Sequence, residues 1–345
     1  MPPPAVSDST HRVRVIRIDN PPANALSPST LRRLREEIAE AVRSEEVEAI
    51  LLTGTTQTFS SGADLKQLET DFHRHGPAGS TKAYVEAYTS GANLAPFVYG
   101  LDQTEKPIVA LISGICFGGG LEVALGCHYR ISTASATFRL PEVFVGIIPG
   151  ALGTQFLPRM TTFRSSIELA VYGKTWDAKK ALDEGIIDEI LHLSGDEDSY
   201  DAVIRLASER VLELLSRNAQ APIFRSTSTL PVKVSEGDAM AISFRASLKL
   251  PPVNKGGLAQ RAVLESLRHC VRAGSNFLRG AEWESEISRH IVATREAHAL
   301  RYLFLAGTLS IYFGIGTRPR LSRKSSVAFH QQLCRNSCRE ASTCD

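Results

Sequence analysis

Three consecutive glycines, Gly118, Gly119 and Gly120, precede a lone carboxylate, Glu122, in the otherwise apolar run ICFGGGLEVALG. Glycine adopts positive φ angles and lets a ligand approach its backbone N–H closely. A carboxylate in apolar surroundings is poorly solvated, a common property of residues that transfer protons. The pattern fits two structures: a tight strand-to-helix turn with an acid in the first helical turn, or a site where exposed N–H groups meet a ligand.

Two other segments have a related composition. SSGADLK (60–66) follows an apolar run, as FGGGLE (117–122) does, and small residues at both places could direct two backbone N–H groups to one oxygen atom. Such a pair of donors is an oxyanion hole. LPEVFVGIIPGALGTQ (140–155) adds a second carboxylate, Glu142, in an apolar context. Glu122 and Glu142 could then perform acid–base chemistry, provided that the fold brings them together.

The elements that must position these residues alternate between strand and helix. Apolar and β-branched runs predict strands over 12–19 and 49–54. One helix should begin at Pro28, with Ser27 as its N-cap. Another should begin directly after Asp177, which is a favourable N-cap. The alternation continues to about residue 193 and predicts an α/β fold.

Helical periodicity replaces this alternation further along the chain. We predict a core over 11–195, a C-terminal helical region over 196–306 and a disordered basic tail over 307–345. The tail has six basic and two acidic residues, and three of the six cysteines. Its spacing of histidine and cysteine fits no common zinc site, so we predict no metal centre.

The composition argues against several classes of protein. The 345 residues include 39 Lys+Arg and 37 Asp+Glu, a formal charge of +2 that does not favour nucleic-acid binding. No GxGxxG or GxxxxGK motif supports a dinucleotide or P-loop site. No run of about 18 apolar residues predicts a membrane span, and the amino-terminal segment lacks the apolar region of a signal peptide. We expect a soluble intracellular protein.

Three segments resemble, in order and spacing, motifs of the crotonase superfamily of enoyl-CoA hydratases and isomerases: SSGADLKQL, GICFGGGLEVALGCHYRI and LPEVFVGIIPGALGTQFLPR. With DNPPANALS near the start, they are most similar to the amino-terminal hydratase/isomerase half of the peroxisomal bifunctional enzymes of fatty-acid β-oxidation. The resemblance covers roughly residues 11–306. It implies a crotonase-like spiral of ββα units that binds a CoA thioester, followed by a C-terminal helical region.

The resemblance also implies residue roles. The backbone N–H groups of Ala63 and Gly119 would hold the thioester carbonyl, as an oxyanion hole. Glu122 and Glu142 would position a water molecule for syn addition across the 2,3 double bond of an enoyl-CoA. The further substrate-binding candidates are Ser61, Gly62, Asp64, Leu65, Lys66, Phe117, Gly118, Pro149 and Gly150.

For some single residues, a purely structural role stays open beside these functional ones. Lys66 fits a solvated helix lysine equally well, and Asp64 fits a turn or capping residue better than an acid catalyst. For His128, at the end of an apolar helix, we expect a packed or hydrogen-bonded side chain rather than a catalytic one.

We therefore expect an enoyl-CoA hydratase that also shifts a 3-enoyl double bond to C2. Coenzyme A is part of the substrate, and neither a metal nor a redox cofactor is required. Two alternatives stay open: another crotonase-type reaction such as thioester hydrolysis, or an inactive binding or assembly subunit. A homo-oligomer is compatible with the resemblance. The resemblance favours the peroxisome, but the final residues STCD are not an SKL-type signal, so the cytosol stays open.

Three features depart from the family's pattern. The segment from about Asp71 to Gly100 is longer than the family's loop there, and we expect a surface insertion with some helix. Phe117 and Leu152 are bulkier than the usual residues and should narrow the acyl pocket. The tail stands where bifunctional enzymes begin a dinucleotide-binding domain, and its glycine-containing segment FGIG is not a GxGxxG motif. Dehydrogenase activity is therefore not expected from this chain.

Overall fold

The fold is built from short strands connected by helices, and the computed structural model describes residues 12–65, 94–192, 199–218, 220–305 and 307. The strands are β1 (Val13–Arg17), β2 (Ala25–Leu26), β3 (Ala49–Thr53), β4 (Thr58–Ser60), β5 (Gly62–Ala63), β6 (Ile108–Ile112), β7 (Ile115–Phe117), β8 (Tyr129–Thr133), β9 (Thr137–Arg139), β10 (Trp176–Asp177) and β11 (Glu189–Leu191). The helices are α1 (Pro28–Arg43), α2 (Leu94–Asp102), α3 (Gly119–Leu125), α4 (Gly153–Met160), α5 (Phe163–Ala170), α6 (Ala178–Asp183), α7 (Tyr200–Asn218), α8 (Glu236–Ser247), α9 (Leu258–Ala273), α10 (Phe277–Val292) and α11 (Arg295–Leu305).

The strands form two larger sheets and one small one. A five-stranded parallel sheet has the order β1-β3-β6-β8-β11. A four-stranded sheet has the order β10-β9-β7-β4 and is parallel except for the β10/β9 pair, while β2 pairs with β5. The pairs β3/β4, β6/β7 and β8/β9 each give their first strand to the larger sheet and their second to the smaller one. The chain therefore winds as a spiral of strand pairs.

The larger sheet is buried on both faces, as is usual for parallel sheets. Ile50 and Leu52 face the main core, whereas Leu51 and Val109 face a second apolar cluster. Helix α7 covers this second face, with Val211 among its buried residues. This two-sided burial explains why residues 49–52 of β3 are all apolar.

Two helix starts confirm what the sequence predicted. The Ser27 hydroxyl accepts a hydrogen bond from the Thr30 N–H at 3.2 Å, and Pro28 is the first residue of α1. The Asp177 carboxylate accepts from the Lys180 N–H at 2.7 Å at the start of α6. Each cap satisfies an N–H group that has no partner within the helix.

The prediction of a surface insertion from about Asp71 to Gly100 is wrong for its last part, which is a helix buried in the core. Residues 66–93 lie outside the described residues, but 94–102 form α2, whose side chains Ala95, Phe97 and Val98 are buried in the main core. The tail prediction falls on 308–345, which also lie outside the described residues. The domain limits at 195 and 306 stay predictions.

The helices near the carboxyl end are part of the core. Leu264, Leu267 and Ile291 are buried in the main apolar cluster, and both α9 and α10 pack against α4. The described residues up to Arg301 cluster as one compact unit. Helix α10 ends at Val292 and α11 begins at Arg295, where the Thr294 hydroxyl accepts from the Ala297 N–H at 3.2 Å. Within the described part of the chain, no helix is long and apolar enough to cross a membrane.

Candidate active site

Two neighbouring strands of the smaller sheet bring the glycine-rich segments together. Strands β4 and β7 are parallel, with Ser60 opposite Cys116, so their carboxyl ends lie at the same edge. A Cβ placed on Gly119 would lie 3.4 Å from the amide nitrogen of Ala63. The two backbone positions predicted as oxyanion donors are therefore adjacent, although they are far apart in sequence.

Glycine is required at two positions beside these donors. Gly62 has φ +98°, and a Cβ there would lie 2.9 Å from the amide nitrogen of Gly119. Gly118 has φ +54°, and its N–H donates to the Arg139 carbonyl at 2.8 Å. Side chains are unfavourable at such φ values, so glycine permits the close approach of the two segments.

Glu122 lies on α3, three residues after Gly119, and is only 2% exposed. Its Oε1 accepts hydrogen bonds from the N–H groups of Ala151 at 2.8 Å and Gly153 at 2.9 Å. Burial raises the pKa of Glu122 to about 7, and these two hydrogen bonds oppose the rise by stabilising the charged form. Near neutral pH this carboxylate can gain or lose a proton.

Glu142 begins the 3₁₀ turn Glu142–Val145 and is 8% exposed. Its Oε1 lies 2.9 Å from the place that a Cβ on Gly118 would occupy, so the carboxylate adjoins the glycine cluster. Its Oε2 is buried and has no hydrogen-bond partner among the described residues. Burial, and then the negative charge of Glu122, raise the pKa of Glu142 well above its ordinary value.

The two carboxylates therefore have different protonation preferences. Two close, buried carboxylates do not both ionise easily. Two N–H groups stabilise the charge on Glu122, whereas Oε2 of Glu142 has no such donor among the described residues. The proton is more stable on Glu142, which leaves Glu122 as the group that ionises first.

The remaining sequence-predicted residues lie along the same segments. Gly62, Gly118 and Pro149 are buried, Asp64, Leu65, Phe117 and Gly150 are half-buried, Ser61 and Ala63 are exposed, and Lys66 lies outside the described residues. The N–H of Gly153 donates to Glu122, and a Cβ placed on Gly153 would lie 3.0 Å from the Cβ of Pro149. Pro149 therefore lies beside this hydrogen bond. The substrate-binding roles of these residues stay predictions.

His128 is a packed histidine, as expected. It is 6% exposed, and its Nδ1 accepts the Ile108 N–H at 3.1 Å. Burial lowers the pKa of His128, so the neutral imidazole is favoured. The structure thus gives it a local structural role.

The sequence interpretation missed a third buried carboxylate, Glu284. It lies on α10, is 1% exposed, and accepts the N–H groups of Leu152 at 2.6 Å and Thr154 at 3.0 Å. These donors alternate along the chain with the two donors of Glu122. The available signal was an acidic residue among the apolar positions of a helix, which periodicity alone does not separate from a surface residue.

No group of three or more His, Cys, Asp or Glu side chains in the described ranges could hold a metal ion. The tail residues weighed as zinc ligands, His330, Cys334, Cys338 and Cys344, lie outside those ranges.

The spiral of strand pairs is the crotonase-like fold, an α/β fold followed here by a C-terminal helical region. The family model for enoyl-CoA hydratase/isomerase matches residues 8–211, and the chain belongs to that family. It is 35% identical over 295 residues to the human peroxisomal bifunctional enzyme, covering 85% of this chain and 36% of that protein. It is 31% identical to the peroxisomal fatty acid beta-oxidation multifunctional protein of rice, covering 91% of this chain and 41% of that one. The chain thus spans little more than a third of the length of these relatives.

Solved structures share the fold. An enoyl-CoA hydratase from Bacillus halodurans aligns with a TM-score of 0.56 at 22% identity, covering 84% of this chain and 96% of that one. OdaA of Pseudomonas aeruginosa aligns with a TM-score of 0.53 at 19% identity, covering 86% of this chain and 96% of that one. At these identities the likeness concerns the fold alone.

Proposed function

We propose that the chain is an enoyl-CoA hydratase that adds water to 2-enoyl-CoA thioesters and also moves a 3-enoyl double bond to C2. The observation that carries this proposal is the placement of two buried glutamates with unequal proton affinity beside the adjacent Ala63 and Gly119 backbones. Family membership supports an acyl-CoA substrate. The names of the relatives support a role in β-oxidation, which we extend to this chain as part of the proposal.

The backbone donors stabilise the charge that hydration creates. When water attacks C3, the π electrons of the double bond move toward the thioester carbonyl, and its oxygen becomes negative. The N–H groups of Ala63 and Gly119 donate to this oxygen, and each such donor contributes about 3 kcal/mol to the transition state. Gly62 and Gly118 keep the two donors close enough to share one oxygen.

The two glutamates divide the proton transfers. Ionised Glu122 orients the water and takes its proton as the oxygen–C3 bond forms. Protonated Glu142 gives its proton to C2 as the enolate collapses. The addition is balanced, because one proton leaves the water and one arrives at C2, and exchange with solvent restores both glutamates.

Isomerisation needs only one of them. A base takes a proton from C2 of the 3-enoyl thioester, the oxyanion donors hold the resulting enolate, and the same group returns the proton to C4. We assign this base to Glu142, because it adjoins the glycine cluster and its Oε2 has no competing donor among the described residues. Isomerisation therefore starts with Glu142 ionised and the proton on Glu122, which is the arrangement in which hydration leaves the two glutamates.

The test is an assay of the purified chain with 2-enoyl-CoA thioesters of short, medium and long acyl chains. We expect loss of the ultraviolet absorbance of the conjugated thioester and formation of 3-hydroxyacyl-CoA. Release of free CoA thiol would instead indicate thioester hydrolysis. Binding of CoA esters without turnover at any length would contradict the proposal and favour a binding subunit.

A further inference from the structure

The turn at residues 151–154 is held by two carboxylates at once. Its four successive N–H groups alternate between them: Ala151 and Gly153 donate to Glu122, and Leu152 and Thr154 donate to Glu284. The donor-to-acceptor distances are 2.8 and 2.9 Å for Glu122, and 2.6 and 3.0 Å for Glu284. The backbone segment that binds Glu122 therefore also binds Glu284.

This turn has a conformation that needs external support. Leu152 has φ +77°, in the left-handed region that a leucine rarely adopts. Such a residue keeps its conformation only where its surroundings fix it. Two of the contacts that do so come from Glu284, which lies 132 positions away along the chain from Leu152.

Burial of Glu284 destabilises its charged form. It is 1% exposed, and no lysine or arginine pairs with it among the described residues. The Thr154 hydroxyl donates to its Oε2 and lies 2.6 Å from the hydroxyl of Ser266 on α9. Burial, and then the charge of Glu122, raise the pKa of Glu284 to about 8. A glutamine at this position would accept hydrogen bonds through one oxygen only, because its NH₂ group is a donor. It would therefore lose the hydrogen bond from either the Leu152 or the Thr154 N–H.

We propose that Glu284 is a positioning residue, which holds the turn at 151–154 so that the Ala151 and Gly153 N–H groups stay on Glu122. The assignment of a catalytic benefit rests on the proposed hydratase function, whereas the structural part does not. Helix α10, outside the spiral of strands, thereby controls the orientation of a carboxylate inside it.

The test compares Glu284→Gln with Glu282→Gln, an exposed glutamate on the same helix. Amide hydrogen exchange at Ala151 and Gly153 should be faster in Glu284→Gln than in the wild type, and unchanged in Glu282→Gln. The kcat for hydration should fall by about 10-fold to 10²-fold with little change in KM, as expected for a misplaced catalytic group. The acidic limb of the kcat/KM profile should move to higher pH, because weaker N–H bonds stabilise the Glu122 charge less. Loss of the Glu284 charge does not reverse this shift, because the pKa of Glu284 is raised to about 8 and the group is mostly protonated over that limb.

A double variant separates positioning from a general loss of packing. Because Glu284 acts through Glu122, adding Glu284→Gln to Glu122→Gln should cost little more hydration than Glu122→Gln alone. Additive losses would overturn the proposal, as would unchanged exchange at Ala151 and Gly153. If the wild type hydrates no enoyl-CoA, the proposed function fails, but the exchange measurement still decides the positioning role.

A milder variant serves if Glu284→Gln does not fold. Thr154→Val removes one hydroxyl donor to Glu284 and keeps the backbone N–H groups. It should produce a smaller change in the same direction in both exchange and kcat. Exchange at Ala151 and Gly153 equal to that of the wild type would overturn the proposal.

Discussion

Glu122 and Glu142 are chemically identical side chains whose surroundings give them different properties. Both are buried, and burial is the largest cause that raises the pKa of each. Glu122 receives two backbone N–H groups, while Oε2 of Glu142 has no partner among the described residues. A base and an acid can thus exist at the same pH, which is what addition of water to a double bond requires.

This difference predicts the pH dependence of hydration. Glu122 must be ionised to accept a proton, and its pKa is raised to about 7, so kcat/KM should rise as the pH increases through that value. At higher pH it should fall, because Glu142 loses the proton that it gives to C2. Glu122→Gln should remove the rising limb from the profile. A kcat/KM that falls between about pH 6 and 8 would contradict these roles.

A glycine substitution tests the backbone of the proposed oxyanion hole. Gly62→Ala strains a residue at φ +98° and places a Cβ 2.9 Å from the Gly119 nitrogen, so the two segments must separate. We expect kcat/KM for hydration to fall about 10²-fold to 10³-fold, as for loss of one oxyanion donor.

Gly237→Ala is the matched control, because a Cβ there meets nothing within 4 Å and the residue lies on helix α8. Its activity should equal that of the wild type. Equal activity of the two variants would show that Gly62 does not hold the donors.

At the scale of elements, α9 and α10 pack on the core that carries the candidate site. Leu267 is fully buried in the main core, whereas Leu278 on α10 is 54% exposed. Leu267→Ala should lower the free energy of unfolding by about 2–5 kcal/mol, because it leaves a cavity. Leu278→Ala should change it by less than about 0.5 kcal/mol in the same denaturant titration. Similar losses for both would mean that α9 does not pack on the core in solution.

Local structure was predictable from local sequence. Ser27, Pro28 and Asp177 are short-range capping signals, and the structure confirms the helix starts that they predict. The burial of α2 was not predictable from the polar segment before it, since tertiary contacts decide which side of a helix is covered. Glu284 was missed for the same reason: its donors lie more than a hundred positions away along the chain.

At the scale of the whole molecule, the site depends on which strands are neighbours. Ala63 and Gly119 meet because β4 pairs with β7, a connection that skips β5 and β6. Sequence spacing alone left that meeting open, and only the resemblance of the motifs predicted it. The fold class was predicted for the same reason, since alternating strands and helices are compatible with several α/β folds.

The tail supports one further prediction at this scale. Its excess of basic residues and its three cysteines distinguish 307–345 from the rest of the chain, so we expect it to be separable from the catalytic unit. Deleting residues 312–345 should leave hydration within a few-fold of the full chain. Limited proteolysis should likewise trim the tail without loss of activity. A large loss of kcat/KM after the deletion would show that the tail contributes to the site.

The central claim is that two glutamates share the proton transfers unequally, and one measurement tests it most directly: hydration and isomerisation rates of Glu122→Gln and Glu142→Gln, with the exposed Glu45→Gln as control. Glu122→Gln should lower the rate of hydration by about 10²-fold or more and the rate of isomerisation by less. Glu142→Gln should lower both rates. Each variant should keep its affinity for CoA esters, because the Ala63 and Gly119 N–H groups remain. Hydration within a few-fold of the unmodified chain in both variants would contradict the account.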